Sequence, residues 1–141
     1  MVTSLNSNLP FRDTGYKLEH TIRRNITFAD APAVPTTISI GGIPSGAQLV
    51  GGAIHINTSF DNTTTVLSVG RTDTTATNVS AYASAMVISG ASASVLLDDY
   101  LTLSAVAVAR PTTVTATLSG AVSTAGSVDV TFRYVPSETN V

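Results

Sequence analysis

The chain reads as an all-β fold: a two-sheet antiparallel sandwich, jelly-roll-like, with an extended N-terminal arm. Three observations predict it. Apolar and polar residues alternate with period two along several short segments. Gly, Pro, Asn and Asp punctuate the intervals between those segments. Long windows with apolar residues at i, i+3, i+4 and i+7 are missing, and only Thr77 to Ala85 offers one short turn of helix. Helix is therefore expected below about 10%. The length of 141 residues fits one domain, large enough to fold without staples.

The first strand is expected from Lys17 to Phe28. Leu18, His20, Ile22, Arg24, Ile26 and Phe28 fall on one face, and Lys17, Glu19, Thr21, Arg23, Asn25 and Thr27 on the other. Pro32 and Pro35 end the ladder. A second strand covers Thr36 to Ile40, and Gly41 to Gly46 reads as a turn. A third runs from Gln48 to Ser59, where Gly51-Gly52 marks a bulge or a close backbone approach. Thr64 to Val69 follows, then a long polar connection from Gly70 to Ser84. Ala85 to Ser89 and Ser94 to Leu97 are short strands, and Tyr100 to Ala109 is a strong one. The β-branched run Thr112 to Ser119 and the alternating run Ser127 to Val135 complete eight or nine strands. Residues 1–16 form the arm, 17–135 the sandwich and 136–141 a polar tail. The expected core is Leu18, Ile22, Ile26, Phe28, Ile54, Ile56, Leu67, Val69, Leu101, Leu103, Val128, Val130 and Phe132.

Composition narrows the function classes. Charged residues are 11% of the chain, against about 25% in an ordinary protein. A free monomer relies on charge for solubility, so a surface this neutral suits a protein covered by partners. A net charge of -2 argues against a general nucleic-acid binder. No apolar run approaches the roughly 20 residues of a membrane span. Met1 to Pro10 lacks the layout of a signal peptide. With no Cys, disulfides and thiolate metal sites are excluded. The sequons at Asn25, Asn57, Asn62 and Asn78 are what a Thr- and Ser-rich chain produces by chance.

Catalysis needs convergent acids, bases or nucleophiles, and the chain offers few. His20 and His55 both sit in expected strands and read as hydrogen-bonded core or interface residues. No G-x-S-x-G elbow and no phosphate-cradling loop occurs. Asp61, Asp73 and Asp98-Asp99 lie at expected turns, where Asp satisfies backbone donors; a loop calcium site is the alternative. The expectation is no enzyme, no cofactor and no required metal. Four of the seven basic residues, Arg12, Lys17, Arg23 and Arg24, cluster near the N-terminus. They are the candidate partner-binding residues, with Arg24 placed by the alternation on the inward face, where it needs a partner. Leu103 to Ala109 is apolar on both faces, as in a central strand or one that meets another subunit.

The stretch Ile43 to Ile54, reading Ile-Pro-Ser-Gly-Ala-Gln-Leu-Val-Gly-Gly-Ala-Ile, resembles a segment of small tailed-bacteriophage structural proteins. The resemblance continues through Phe60-Asp61-Asn62, Leu67-Ser68-Val69-Gly70, the Thr112 to Thr117 run and the last strand, covering roughly residues 36–135. It implies a virion protein of the capsid decoration (cement) type, which sits on the outer surface of a major capsid protein shell as a dimer or trimer and binds no cofactor. The expectation is thus a homo-oligomer, a trimer ahead of a dimer, made in the host cytoplasm, with no nucleic-acid or membrane partner. The basic N-terminal stretch has no match in that group. A carbohydrate-binding or adhesion sandwich of a phage fibre or tail is the alternative. Sugar sites favour exposed aromatics, and at 6% aromatics with no Trp the chain has few to offer.

Overall fold

A computed structural model describes residues 19–90, 94–96, 108 and 110–136. Eight strands account for most of them: β1 (His20–Thr27), β2 (Thr36–Ile43), β3 (Gln48–Thr58), β4 (Val66–Thr72), β5 (Thr77–Val87), β6 (Ser94–Leu96), β7 (Thr112–Ser119) and β8 (Ser127–Val135). The helical content of the described residues is one 3-10 turn, Phe28–Asp30. One sheet has the order β1-β8-β3-β6 and the other β2-β7-β4-β5. Four antiparallel pairs join the first strand to the last and work inward: β1 with β8, β2 with β7, β3 with β6 and β4 with β5. The chain is thus one long hairpin, rolled so that β8 also meets β3 and β7 also meets β4. That winding is a jelly roll, which covers the apolar face of each sheet with the other.

The core lies between the sheets. Ile26, Ile54, Ile56, Val128, Val130 and Phe132 face inward from the first sheet, and Ile38, Leu67, Val69, Val114, Ala116 and Leu118 from the second. Each large side chain so buried is worth about 1.5–3 kcal/mol before its ordering cost. The Tyr82 and Phe132 rings meet across the sandwich at 5.3 Å and 57°. At one side Gly41 lets the sheets close, because a Cβ there would press on Ile22 Cβ at 3.3 Å.

The strands Thr112–Ser119 and Ser127–Val135 have the bounds their patterns predict, and the Gly51 region carries the expected bulge, a register shift between Leu49 and Gly51. Four expectations need correction. Phe28 is neither strand nor core: it opens the 3-10 turn and is 40% exposed. The turn is fixed by Asp30, whose carboxylate accepts the Thr27 N–H at 2.8 Å. Gly41 and Gly42 belong to β2, which absorbs an extra residue between Ser39 and Gly41; the turn comes later, where Ala47 N–H bonds Pro44 O at 3.2 Å. The stretch from Gly70 to Ser84 is no connection. It holds the end of β4, a tight turn at Asp73–Ala76 and most of β5, and the segment from Thr77 to Ala85 is strand where a helical turn was conceivable. β5 hides its period because two steps along β4, Val69 to Arg71, face five along β5, Ala83 to Asn78. Ala85, in the left-handed region at φ 48, accompanies a second irregularity. The expected strand Ala85 to Ser89 is only the tail of β5.

Leu18, Leu101, Leu103, residues 1–16 and the expected strand Tyr100 to Ala109 lie outside the described residues, except for Val108. Val108 is buried and pairs with the Pro44–Ala47 turn through Val108 N to Ala47 O at 2.9 Å and Gly46 N to Val108 O at 2.7 Å.

Candidate functional site

Partners across an antiparallel ladder share a face, so the registers sort the outward side chains of each sheet. On the first sheet they are charged. Arg23 and Asn25 on β1 stand beside Thr131 and Asp129 on β8, and His55 on β3 stands opposite Asp129. Asp129 is the hub. Its carboxylate accepts from Asn25 Nδ2 at 2.7 Å and from Arg23 Nη2 at 2.5 Å. These donors cover it, so Asp129 is only 8% exposed although it faces outward. Hydrogen bonds from Asn25, then Asn57 and Arg23, hold the carboxyl below its usual range, against the desolvation that acts the other way. Farther along, Arg133 donates to Glu19 at 3.3 Å. His20 stacks on Tyr134 at 5.4 Å.

The candidate basic residues do not gather into one patch among the described residues. Arg12 and Lys17 lie outside them. Arg23 and Arg24 take opposite faces of β1, and Arg23 is paired with Asp129. Arg24 shares its face with the buried Val130, as the alternation requires, yet it is exposed, which corrects the expectation of burial. β1 and β2 are edge strands of their sheets, so the inward face opens to water there. Arg24 Nη1 bridges that opening and donates to Ser39 O at 2.7 Å.

The acidic turn residues are occupied by backbone and hydroxyl donors. Asp61 accepts from the Thr124 hydroxyl and from Thr124 N–H at 2.9 Å, which binds the β3–β4 loop to the β7–β8 loop. Asp73 accepts from Thr75 N–H at 2.7 Å and Ala76 N–H at 3.0 Å. These bonds lower both carboxyl pKa values, led by the Thr124 hydroxyl for Asp61 and by Thr75 N–H for Asp73. Among the described residues no three of His, Cys, Asp and Glu come together. Asp98 and Asp99 lie outside them.

The outward side of the second sheet is built differently. Reading β2, β7, β4 and β5 in turn, the register places Gly42, Thr113, Thr72 and Thr77 in one row, then Ser39, Thr115 and Gly70, then Thr37, Thr117 and Ser68, and last Ser119, Val66 and Val87. No member is charged. The backbone of β5 folds over Gly70, where a Cβ would lie 2.0 Å from Asn78 O and 2.4 Å from Val79 C. Thr37 and Thr117 share a hydroxyl bond at 2.9 Å, whereas Thr115 Oγ1 is buried with no partner among the described residues. Val79 and Val87 are 42% and 64% exposed. The sequence holds a sign of this face: no charged residue falls between Asp73 and Asp98 or between Arg110 and Asp129.

No family model matches the chain, and no curated protein matches it in sequence. Its fold, however, is shared. A chain in the capsid of Ralstonia phage GP4 superposes with a TM-score of 0.63 at 18% identity, covering 86% of each chain. One in the acid-stable capsid of Helicobacter pylori bacteriophage KHP30 gives 0.60 at 16% identity, over 83% of this chain and 86% of that one. One in the capsid asymmetric unit of cyanophage Pam1 gives 0.58 at 18% identity, over 85% and 86%.

Proposed function

We propose that the chain is a structural protein of a phage virion, a decoration (cement) protein that binds the outer surface of a major capsid protein shell and stabilises it. The observation that carries this reading is the extent of the fold match. Chains from three phage capsid structures align with this one along 86% of their own length, so the shared unit is nearly a whole protein in each case. Low charge supports it, since a surface with few ions loses little solvation when covered.

In this reading copies of the chain also associate with one another, and the basic stretch containing Arg12 and Lys17, with Arg23 and Arg24, reaches the shell. Several weak contacts linked in one oligomer gain strongly from effective concentration. The test is cosedimentation of the purified chain with capsids that lack it, followed by imaging of the decorated shells. Saturable binding with one symmetric site type on the shell is expected, and deletion of residues 1–16 should weaken binding while the sandwich stays folded. Absence of binding, with retention on immobilised glycans, would overturn it in favour of the adhesion reading.

A further inference from the structure

We infer that β1 is a latent edge for strand pairing between copies of this chain, and that Arg23 and Arg24 hold it shut. Among the described residues the outer strands of the two sheets are β1, β6, β2 and β5. Three of them are poor templates for another chain. β6 is three residues long. β2 shifts register between Ser39 and Gly41. β5 shifts twice against β4 and holds Ala85 in the left-handed region. β1 has none of these defects. Its eight residues pair with β8 in unbroken register, and no strand among the described residues lies along its other side. It contains no Pro, and its Thr and Ile residues favour the extended state. A regular edge of this kind accepts another strand unless something blocks it. The strand that every copy brings is its own β1, and a two-fold contact needs only that one element.

Two copies of an edge strand pair antiparallel about an axis normal to the sheet, which keeps the inward face of each copy inward. Opposite residues then share a face, so the axis passes at the level of a residue and not between two. Only two such registers use nearly all of β1: residues 20–26 pair about Arg23, or residues 21–27 about Arg24, seven in each case. Each sets an arginine against its own copy, with Cβ atoms about 4.5–5.5 Å apart, where like charges repel. Sliding the axis to Ile22 or Asn25 leaves five pairs. The two arginines are not equal. Arg23 is paired with Asp129 at 2.5 Å. Arg24 donates to a neutral carbonyl, Ser39 O, at 2.7 Å, which leaves its charge in place. That bond also pins the guanidinium between β1 and β2, where the second sheet of another copy would have to close. Arg24 is the stronger block. With its charge removed, the register about position 24 meets no like charges: Ile22 faces Ile26, Arg23 faces Asn25 and Thr21 faces Thr27.

The block leaves the faces and ends of the sandwich free for other contacts, and it stands apart from the virion reading, since it holds whether or not a capsid is bound. Sedimentation equilibrium of the full chain tests it. Whatever unit the parent forms, Arg24→Thr should join those units at concentrations at least about tenfold lower than the parent requires. Arg24→Lys keeps the charge and should behave as the parent. Arg110→Thr removes the same charge from a residue bonded to Thr75, at the β4–β5 turn, and should change nothing. The chain holds no Cys, so introduced thiols report the register. Thr21→Cys mixed with Thr27→Cys, each combined with Arg24→Thr, should give a disulfide-linked pair of chains. If Arg24→Thr loses its β-sheet circular dichroism, Arg24→Gln takes its place, uncharged but still able to donate to Ser39 O. Association of Arg24→Thr no tighter than that of Arg110→Thr, an equal gain in Arg24→Lys, or a gain without the disulfide between positions 21 and 27 would each overturn the inference.

Discussion

The two outward faces of the sandwich begin from the same kind of strand and end with opposite chemistry. β1 and β8 carry Arg23, Asp129 and Arg133 outward and tie them into pairs. β2 and β7 carry only Thr, Ser and Gly outward and tie little beyond the Thr37–Thr117 pair. The first face is held by directed, charge-assisted bonds, which fix register and discourage stacking. The second leaves its hydroxyls cheap to cover. In a chain with 11% charged residues, the outward rows of the second sheet carry none of that charge, while Arg71 of β4 shares the inward side with Val114 at the end of the ladder.

The largest expected effect tests whether the two faces rest on one core. Phe132 of the charged sheet packs on Tyr82 of the neutral one, so Phe132→Ala should lose about 3–5 kcal/mol. Urea unfolding should show one transition for the whole sandwich. An unchanged midpoint would mean that the sheets do not depend on this contact.

Much of this core was legible in the pattern. Eight of the thirteen expected core residues, including Ile26, Ile54, Leu67 and Phe132, are buried, because period-two alternation survives in β1, β3, β4 and β8. Ile22 is half-buried against the core, while Leu18, Leu101 and Leu103 lie outside the described residues. Phe28 fails because a local cap at Asp30 overrides the alternation. β5 fails because its extra residues erase the period, and bulges leave no mark in composition. The charged hub was hidden for another reason. Asn25 and Asp129 are far apart in sequence, and only the β1–β8 register brings them together. Arg23 and Arg24 looked like one basic patch because adjacency in sequence is separation across a strand.

Gly70→Ala should come next in size and should strike the neutral sheet alone. The added Cβ meets the backbone of Asn78 and Val79, and backbone yields less readily than a side-chain tip. A cost of about 1–3 kcal/mol is expected. Hydrogen exchange should accelerate in β5 and not in β1. Uniform acceleration would show that β5 is not a separate weak point.

Asp129→Asn probes the charged face and gives it a pH signature. The folded carboxyl lies below the ordinary Asp value of 3.8, held there first by the Asn25 hydrogen bond, so the unfolded chain takes up the proton first. Its stabilisation is complete well above pH 3.8 and is lost as pH falls through the lower folded value. Asp61 and Asp73 shift in the same direction and add to the acid limb. At neutral pH Asp129→Asn should destabilise by about 1–2 kcal/mol, and the gap from the parent should narrow below pH 3.8. A gap independent of pH would make the loss one of shape, not charge. Arg23→Ala should show the same narrowing with a smaller amplitude, since its side chain is 64% exposed.

The smallest effect separates two threonines that stand two residues apart on β7 and share the neutral face. Thr117 Oγ1 bonds Thr37 Oγ1 at 2.9 Å; Thr115 Oγ1 is buried and bonds nothing among the described residues. Valine has nearly the same shape as threonine, so replacement mainly removes the hydroxyl. At position 117 a bond is lost and the Thr37 hydroxyl, on an exposed residue, turns to water, for a cost of about 0.5–1 kcal/mol. At position 115 an unsatisfied buried group disappears, and Thr115→Val should stabilise the chain by up to about 1 kcal/mol. Chemical denaturation of the dilute monomer resolves the difference in sign. A destabilised Thr115→Val monomer would mean that this hydroxyl has a partner in solution.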